Sequence, residues 1–262
     1  MVSLLIFPDP VELYAAACQH ILRAGQQAIA RQGYFALVLA GGSTPQGVYR
    51  LLGQERADLD WSKIHFFWGD ERCVPPDHPD SNYRMAREAM LAFLPVPQEN
   101  IHRIESELTP GQAARAYEEQ IREFYRQVLR NRGLRAGSST IPSFDLILLG
   151  MGEDGHTASL FPGTPALAES QRWVAAVEHN QPPPPLVDRV TLTLPLINAA
   201  REVLVFVAGR SKAARLEQVF ARRSDPPLPV QLVQPVSGNL TWMVDQAAGV
   251  RLSSGGVQSP SL

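Results

Sequence analysis

"LILLGMGEDGHTASLFPG", residues 146–163, decides between two α/β readings. The apolar run Leu146 to Leu149 reads as a buried strand. It feeds Gly150-x-Gly152-x-x-Gly155, which matches the dinucleotide fingerprint G-x-G-x-x-G. In that fold the last glycine lies in a helix returning along the sheet. Here Pro162, Gly163 and Pro165 follow too soon for a crossover helix of normal length. Glu153 and Asp154 also put like charge where a pyrophosphate would approach the backbone. Glu178, ending the next strand, favours a dinucleotide, since it stands near the distance expected for a ribose contact. The simpler reading is a sharp bend at the carboxyl edge of a sheet, where open α/β folds bind ligands. Asp154 and His156 then make it a loop for chemistry.

Outward from this stretch, strands and helices alternate. "PVELYAAACQHILRAGQQAIARQG" has helical periodicity and ends at Gly33, and "FALVLA" (35–40) is a strand. "TPQGVYRLLG" reads as a helix with Thr44 as N-cap and Pro45 at its first position. "KIHFFW" (63–68) is a strand, and "DSNYRMAREAMLAFL" a helix opened by an Asp/Ser cap. "QAARAYEEQIREFYRQVLR" is amphipathic, with Tyr117, Ile121, Phe124 and Val128 on one side. Beyond the loop "NRGLRAGSSTIPS", "FDLILLG", "WVAAVE", "RVTLTL", "EVLVFVAG" and "LTWMVD" read as strands, with the helix "RSKAARLEQVFARR" between the last two. The pattern predicts an α/β fold, a Rossmann-like, mostly parallel sheet with helices on both faces. Residues 1–248 are expected to form one domain, with "QPPPPL" (181–186) a stiff loop and 249–262 a flexible tail.

Composition narrows the function. At 262 residues and 45% hydrophobic, the chain can bury a substantial core. A formal net charge of −2 offers no global basic field for nucleic acid or an anionic membrane. Cys18 and Cys73 form no CxxC pair, which fits a reducing compartment and predicts a cytoplasmic protein. The start, "MVSLLIFPDPVELYAAACQHI", lacks a basic n-region, and Asp9 and Glu12 interrupt its apolar run, so no signal peptide is expected. The six histidines (20, 65, 78, 102, 156, 179) show no close ligand pair, so no metal is expected; "PDHPD" (76–80) reads as a solvated loop. Nothing points to an obligate protein partner.

Two further loops end strands with polar clusters. Gly41-Gly42-Ser43-Thr44 precedes a helix start, where backbone N–H groups and two hydroxyls suit one phosphate. A plain strand-to-helix turn explains the same residues. Asp70, Glu71 and Arg72 follow the strand ending at Trp68, as a solvated turn or as part of a site. Three such loops at one sheet edge favour a site.

"LAGGSTPQGVY", "WGDERCVPPDHPDSNY", "GMGEDGHTASLFPG", "DRVTLTLPLINAA" and "VAGRSKA" occur in that order. In these blocks the chain resembles the 6-phosphogluconolactonases, from about residue 8 to residue 245. The wider group includes glucosamine-6-phosphate deaminase. The resemblance implies hydrolysis of 6-phospho-D-glucono-1,5-lactone to 6-phospho-D-gluconate in the pentose phosphate pathway, without metal or cofactor. It also implies that Arg189 and Lys212 supply cations for the sugar phosphate, although Arg210 could replace Lys212. A lactone is an activated ester, so water and one general base suffice, and no G-x-S-x-G nucleophile elbow is present. His156 is the expected base, with Asp154 to orient it. Arg72 is expected to steady the carbonyl oxygen or hold sugar hydroxyls, unless it pairs with Asp70 or Glu71. Gly42, Ser43, Thr44, Asp70, Arg189 and Lys212 are expected to bind substrate. Two other readings stay open. A deaminase–isomerase of this group carries a glutamate five residues past the loop histidine, where this chain has Phe161. A sugar-phosphate sensor would carry a DNA-binding segment, and no basic helix-turn-helix precedes residue 35.

Overall fold

The structure, a computed structural model, describes residues 1–54, 59–131, 133, 141–221 and 225–252. In chain order the elements are β1 (Val2–Phe7), α1 (Pro10–Gln32), β2 (Phe35–Leu39), α2 (Ser43–Gln54), β3 (Ile64–Trp68), β4 (Asp70–Arg72), α3 (Asn82–Ala89) and α4 (Pro110–Asn131). There follow β5 (Leu146–Gly150), β6 (Val174–Val177), β7 (Arg189–Leu192), α5 (Leu194–Ile197), β8 (Glu202–Val207), α6 (Ala213–Ala221), β9 (Asn239–Asp245) and α7 (Gln246–Gly249). Most of the loop 131–143 and of the expected tail 249–262 lies outside the described residues.

Six strands form one sheet in the order β1-β9-β8-β5-β2-β3, with every neighbouring pair parallel. All of Phe35–Leu39 in β2 is buried. Successive strand residues point to opposite faces, so both faces are covered, as a parallel sheet requires. The chain steps outward from β2 to β3, then returns to the other side of β2 for β5. That reversal is the topological switch point where such sheets open a crevice at their carboxyl ends.

The backbone rim of the crevice is held by two buried tyrosines. The Tyr49 hydroxyl of α2 accepts from the Ala40 N–H at 2.8 Å and donates to the Ala40 carbonyl at 2.9 Å. The Tyr117 hydroxyl of α4 does the same for Trp68, at 2.7 and 3.0 Å. Each phenol supplies both partners that a neighbouring strand would otherwise give, and burial pushes both hydroxyl pKa values far up.

The structure departs from the sequence reading in four places. The apolar N-terminal run forms β1, a parallel edge strand beside β9 that the periodicity did not single out. The segments "WVAAVE" and "RVTLTL" leave the main sheet: β6 and β7 join β4 in a separate antiparallel sheet ordered β4-β7-β6. Only the proline-rich loop separates β6 from β7, too little for the crossover that parallel pairing needs. Helix α2 begins at Ser43, so Thr44 lies in its first turn and is not the cap. Gly42, at φ 101°, turns the chain into it and accepts from the Gln46 N–H with its carbonyl. Helix α3 stops at Ala89, and Leu91–Phe93 form a 3₁₀ turn. Its start is as expected: the Ser81 side chain accepts from the Arg84 N–H. Among the described residues no helix is long and apolar enough to cross a membrane.

Candidate active site

The loops after β2, β3, β5 and β8 meet around a cavity of about 240 Å³. Gly42, Ser43, Thr44, Asp70, Arg72, His156, Arg189 and Lys212 all line it. Arg210 is exposed and does not, so Lys212 is the cation that faces this space.

The His156 loop is built by its glycines and by two carbonyl contacts. Gly152 donates to the His156 carbonyl at 2.9 Å, and Gly155 donates to the Gly152 carbonyl at 3.1 Å. A Cβ on Gly152 would fall 2.1 Å from His156 Nδ1 and 2.6 Å from Asp154 Oδ1, so only glycine lets the dyad form there. No crossover helix follows, as the prolines predicted. The chain passes through a tight bridge between Thr157 and Leu160 to a 3₁₀ turn at Pro165–Ala168. From outside, Arg215 of α6 donates to the Glu153 carbonyl at 2.8 Å, and the Val230 N–H donates to the Gly155 carbonyl at 3.1 Å.

Asp154 Oδ1 lies 2.5 Å from His156 Nδ1 and also accepts the His156 N–H at 3.1 Å. A carboxylate only accepts, so Nδ1 is the donating nitrogen, and in the neutral ring the lone pair is then on Nε2. Burial acts to raise the Asp154 carboxyl pKa, but the bond and charge of His156 outweigh it and hold the group below the usual carboxylate range.

The opposite wall is cationic. Arg72 and Arg189 stand directly opposite each other in the antiparallel pair β4–β7. Like charges in that relation repel, and the nearby carboxylates of Asp70, Glu71 and Asp80 offset that repulsion at Arg189. Burial lowers the Arg189 pKa, and the neighbouring Arg72 adds to that. The Arg189 guanidinium donates to the Pro185 carbonyl at 3.0 Å and the Val187 carbonyl at 3.3 Å. Arg72 pairs with neither carboxylate the sequence offered: its Nη1 donates to the Asp80 carbonyl at 2.6 Å, and its buried Nε has no partner among the described residues. Burial also lowers Lys212, with Glu153 and Asp154 pulling the other way.

Glu71 and Asp70 serve the walls. Glu71 accepts from the backbone N–H groups of Arg72, Asn82 and Tyr83 and from the Ser81 hydroxyl, so it ties β4 to the start of α3. Asp70 borders the cavity, and its Oδ2 already accepts the Ser159 hydroxyl at 2.6 Å. Asn82 donates to the Asp70 carbonyl at 2.9 Å and packs where any Cβ on Gly41 would fall. Sequence reasoning missed Ser159 and Asn82. Both lie inside the distinctive blocks, but no spacing links Ser159 to a carboxylate 89 positions away.

Two histidines far apart in sequence meet in the fold. His65 Nδ1 and His102 Nε2 lie 3.1 Å apart, brought together where Ile101 bridges to β3. The two rings bond to each other and stack among aromatics. Among the described residues no group of three or more His, Cys, Asp or Glu side chains is placed to hold a metal ion.

Residues 8–242 match the family described as glucosamine-6-phosphate isomerases/6-phosphogluconolactonase, and the chain belongs to that family. Within it, similar curated sequences carry the name 6-phosphogluconolactonase. A 6-phosphogluconolactonase from Nostoc sp. is 41% identical over 250 residues, covering 95% of this chain and 97% of its own. One from Synechocystis sp. is 45% identical over 228 residues, covering 86% and 88%. Among solved structures, the 6-phosphogluconolactonase from Trypanosoma cruzi superposes with a TM-score of 0.82 at 30% identity, covering 97% of each chain. A monomeric glucosamine-6-phosphate deaminase shares the fold, with a TM-score of 0.74 at 18% identity.

Proposed function

We propose that this chain hydrolyses 6-phospho-D-glucono-1,5-lactone to 6-phospho-D-gluconate. The observation that carries the reading is the Asp154–His156 dyad at 2.5 Å, beside a cavity whose other walls bear Arg72, Arg189 and Lys212. That combination offers a neutral base for water and a cationic seat for a phosphorylated sugar. His156 Nε2 takes a proton from water as the water oxygen bonds to C1. The resulting alkoxide is steadied by Arg72. When the C1–O bond to the ring oxygen breaks, the imidazolium returns its proton to that oxygen, and the new carboxylic acid ionises. The 6-phosphate lies against the first turn of α2, with Ser43 and Thr44, and against Arg189 and Lys212. Asp154 holds the Nδ1 tautomer throughout. No cofactor enters these steps.

Residues 1–248 act as one domain on this reading; the hydrophobic core runs from Val38 and Ile147 of the large sheet to Val190 and Leu192 of the small one. The reducing chemistry implied by Cys18 and Cys73 suits the cytoplasm, and a lone small-molecule substrate requires no nucleic acid, membrane or protein partner. The test is consumption of fresh 6-phosphogluconolactone by purified protein, against its spontaneous hydrolysis, with glucosamine 6-phosphate in parallel. Lactone loss well above the spontaneous rate without ammonia release is expected, since Phe161 stands where a deaminase carries its glutamate. Steady deamination at a comparable rate would replace the lactonase reading, and binding without turnover of either sugar would make the chain a sensor.

A further inference from the structure

Three rings stand in a row behind the dyad. The Phe161 ring lies 4.5 Å from the His156 ring, centroid to centroid, tilted 46°. It also stacks on His179, at 4.3 Å and only 16° from parallel, and the Arg189 guanidinium lies 5.7 Å from its centroid. Phe161 and His179 are both buried, at 5% and 6% exposure, and neither lines the cavity. His179 is itself fixed twice. Its Nε2 lies 2.6 Å from the Pro183 carbonyl, which only accepts, so Nε2 is the protonated nitrogen. Its backbone N–H donates to Asp188 Oδ1 at 3.2 Å. The Asp188 carbonyl in turn accepts from the Cys73 N–H at 2.8 Å, beside β4.

We propose that His179 is a positioning residue for the hydrolysis: clamped by the proline-rich loop, its ring holds Phe161 against His156 and so fixes the direction of the base. This rests on His156 acting as that base. Asp154 alone fixes one edge of the imidazole and leaves rotation about the Nδ1–Oδ1 line to be restrained by what packs on the ring. Phe161 supplies that restraint, and a phenyl ring needs a support of its own. Small misplacement of a reacting group costs rate steeply, while substrate binding through other groups is little affected. Arg189 keeps its own anchors on Pro185 and Val187. The consequence is a loss in kcat with KM preserved.

The experiment compares wild type with His179→Ala, His179→Phe and Phe161→Leu. Steady-state hydrolysis of 6-phosphogluconolactone is paired with side-chain imidazole NMR that resolves the His156 nitrogens. His179→Ala is expected to lower kcat about tenfold, with KM within threefold, and to shift or broaden the His156 signals while those of His65 and His102 stay in place. His179→Phe keeps the stacked face and is expected to recover kcat to within threefold. Where His179→Ala does not fold, Phe161→Leu removes the middle ring and is expected to lower kcat and move the His156 signals in the same way, with KM free to change because Arg189 also lies over that ring. Unchanged kcat in a folded variant, or a lower kcat with unmoved His156 signals, overturns the proposal. Failure of the base assignment reads differently: His156→Ala would then turn over like wild type, whatever the NMR of the His179 variants shows.

Discussion

The two edges of the large sheet each carry a histidine pairing, and they are built for opposite ends. At the carboxyl edge His156 meets a carboxylate, Asp154, and borders a cavity lined by three cations. Toward the amino edge, His65 of β3 meets another histidine, His102, among Tyr34, Phe67 and Phe124. Burial there pushes both pKa values down to about 4, so the rings stay neutral and serve as packing that needs one hydrogen bond. The difference lies in the partner. A carboxylate can support an imidazolium as it forms, whereas a second buried imidazole opposes it. An imidazole becomes a usable base through what it faces, not through burial alone.

The largest expected effect breaks the comparison directly. His156→Ala should lower kcat for the lactone by roughly 10²–10⁴, the usual weight of a positioned general base, with the melting temperature held. His65→Phe and His102→Phe should leave kcat within twofold. Turnover assays on the three folded variants check this; wild-type kcat in His156→Ala would erase the distinction between the two edges.

A smaller effect sharpens the cationic side of the cavity. Arg189→Ala should lose most of the preference for the phosphorylated over the unphosphorylated lactone. Removing one charge-assisted contact costs about 1.5–3 kcal/mol, roughly tenfold to a hundredfold in kcat/KM. The check is kcat/KM for both lactones with wild type and variant; equal handling by wild type would return Gly42 to Thr44 to an ordinary strand-to-helix turn.

The smallest effect belongs to the amino edge and concerns stability. His65 and His102 titrate near 4 when folded and near 6.5 when unfolded. The unfolded chain therefore binds more protons in that window, and stability falls as pH drops from about 6.5 to about 4. Both rings contribute to the loss across that window. Thermal melts at pH 7 and pH 4.5 should show a larger drop for wild type than for the His65→Phe/His102→Phe double variant. Equal drops would mean that acid lability arises elsewhere.

Much of the carboxyl edge was legible because it is local. Strand, glycine bend, Asp154 and His156 fall within eleven residues, and a bend of that kind has few places to go in a parallel sheet. What stayed hidden is paired at long range. Nothing in "DER" or "RVTLTL" says that Arg72 and Arg189 oppose each other across an antiparallel ladder, since periodicity marks a strand without naming its partner. The same holds for Ser159 on Asp70 and for the His65–His102 contact, each made by topology between segments with no shared pattern. The Thr44 cap failed for a different reason: Gly42 could turn the chain two residues earlier, and α2 took in Ser43 and Thr44.

The tyrosines behind the crevice have a bearing on water. A hydrolase must admit its reagent, and a cavity lined by three cations is readily wetted. Just beneath it, the backbone groups of Ala40 and Trp68 are already saturated by the hydroxyls of Tyr49 and Tyr117. Those four backbone groups need no solvent, so water in the cavity finds no backbone partner on them to draw it toward the aromatic core.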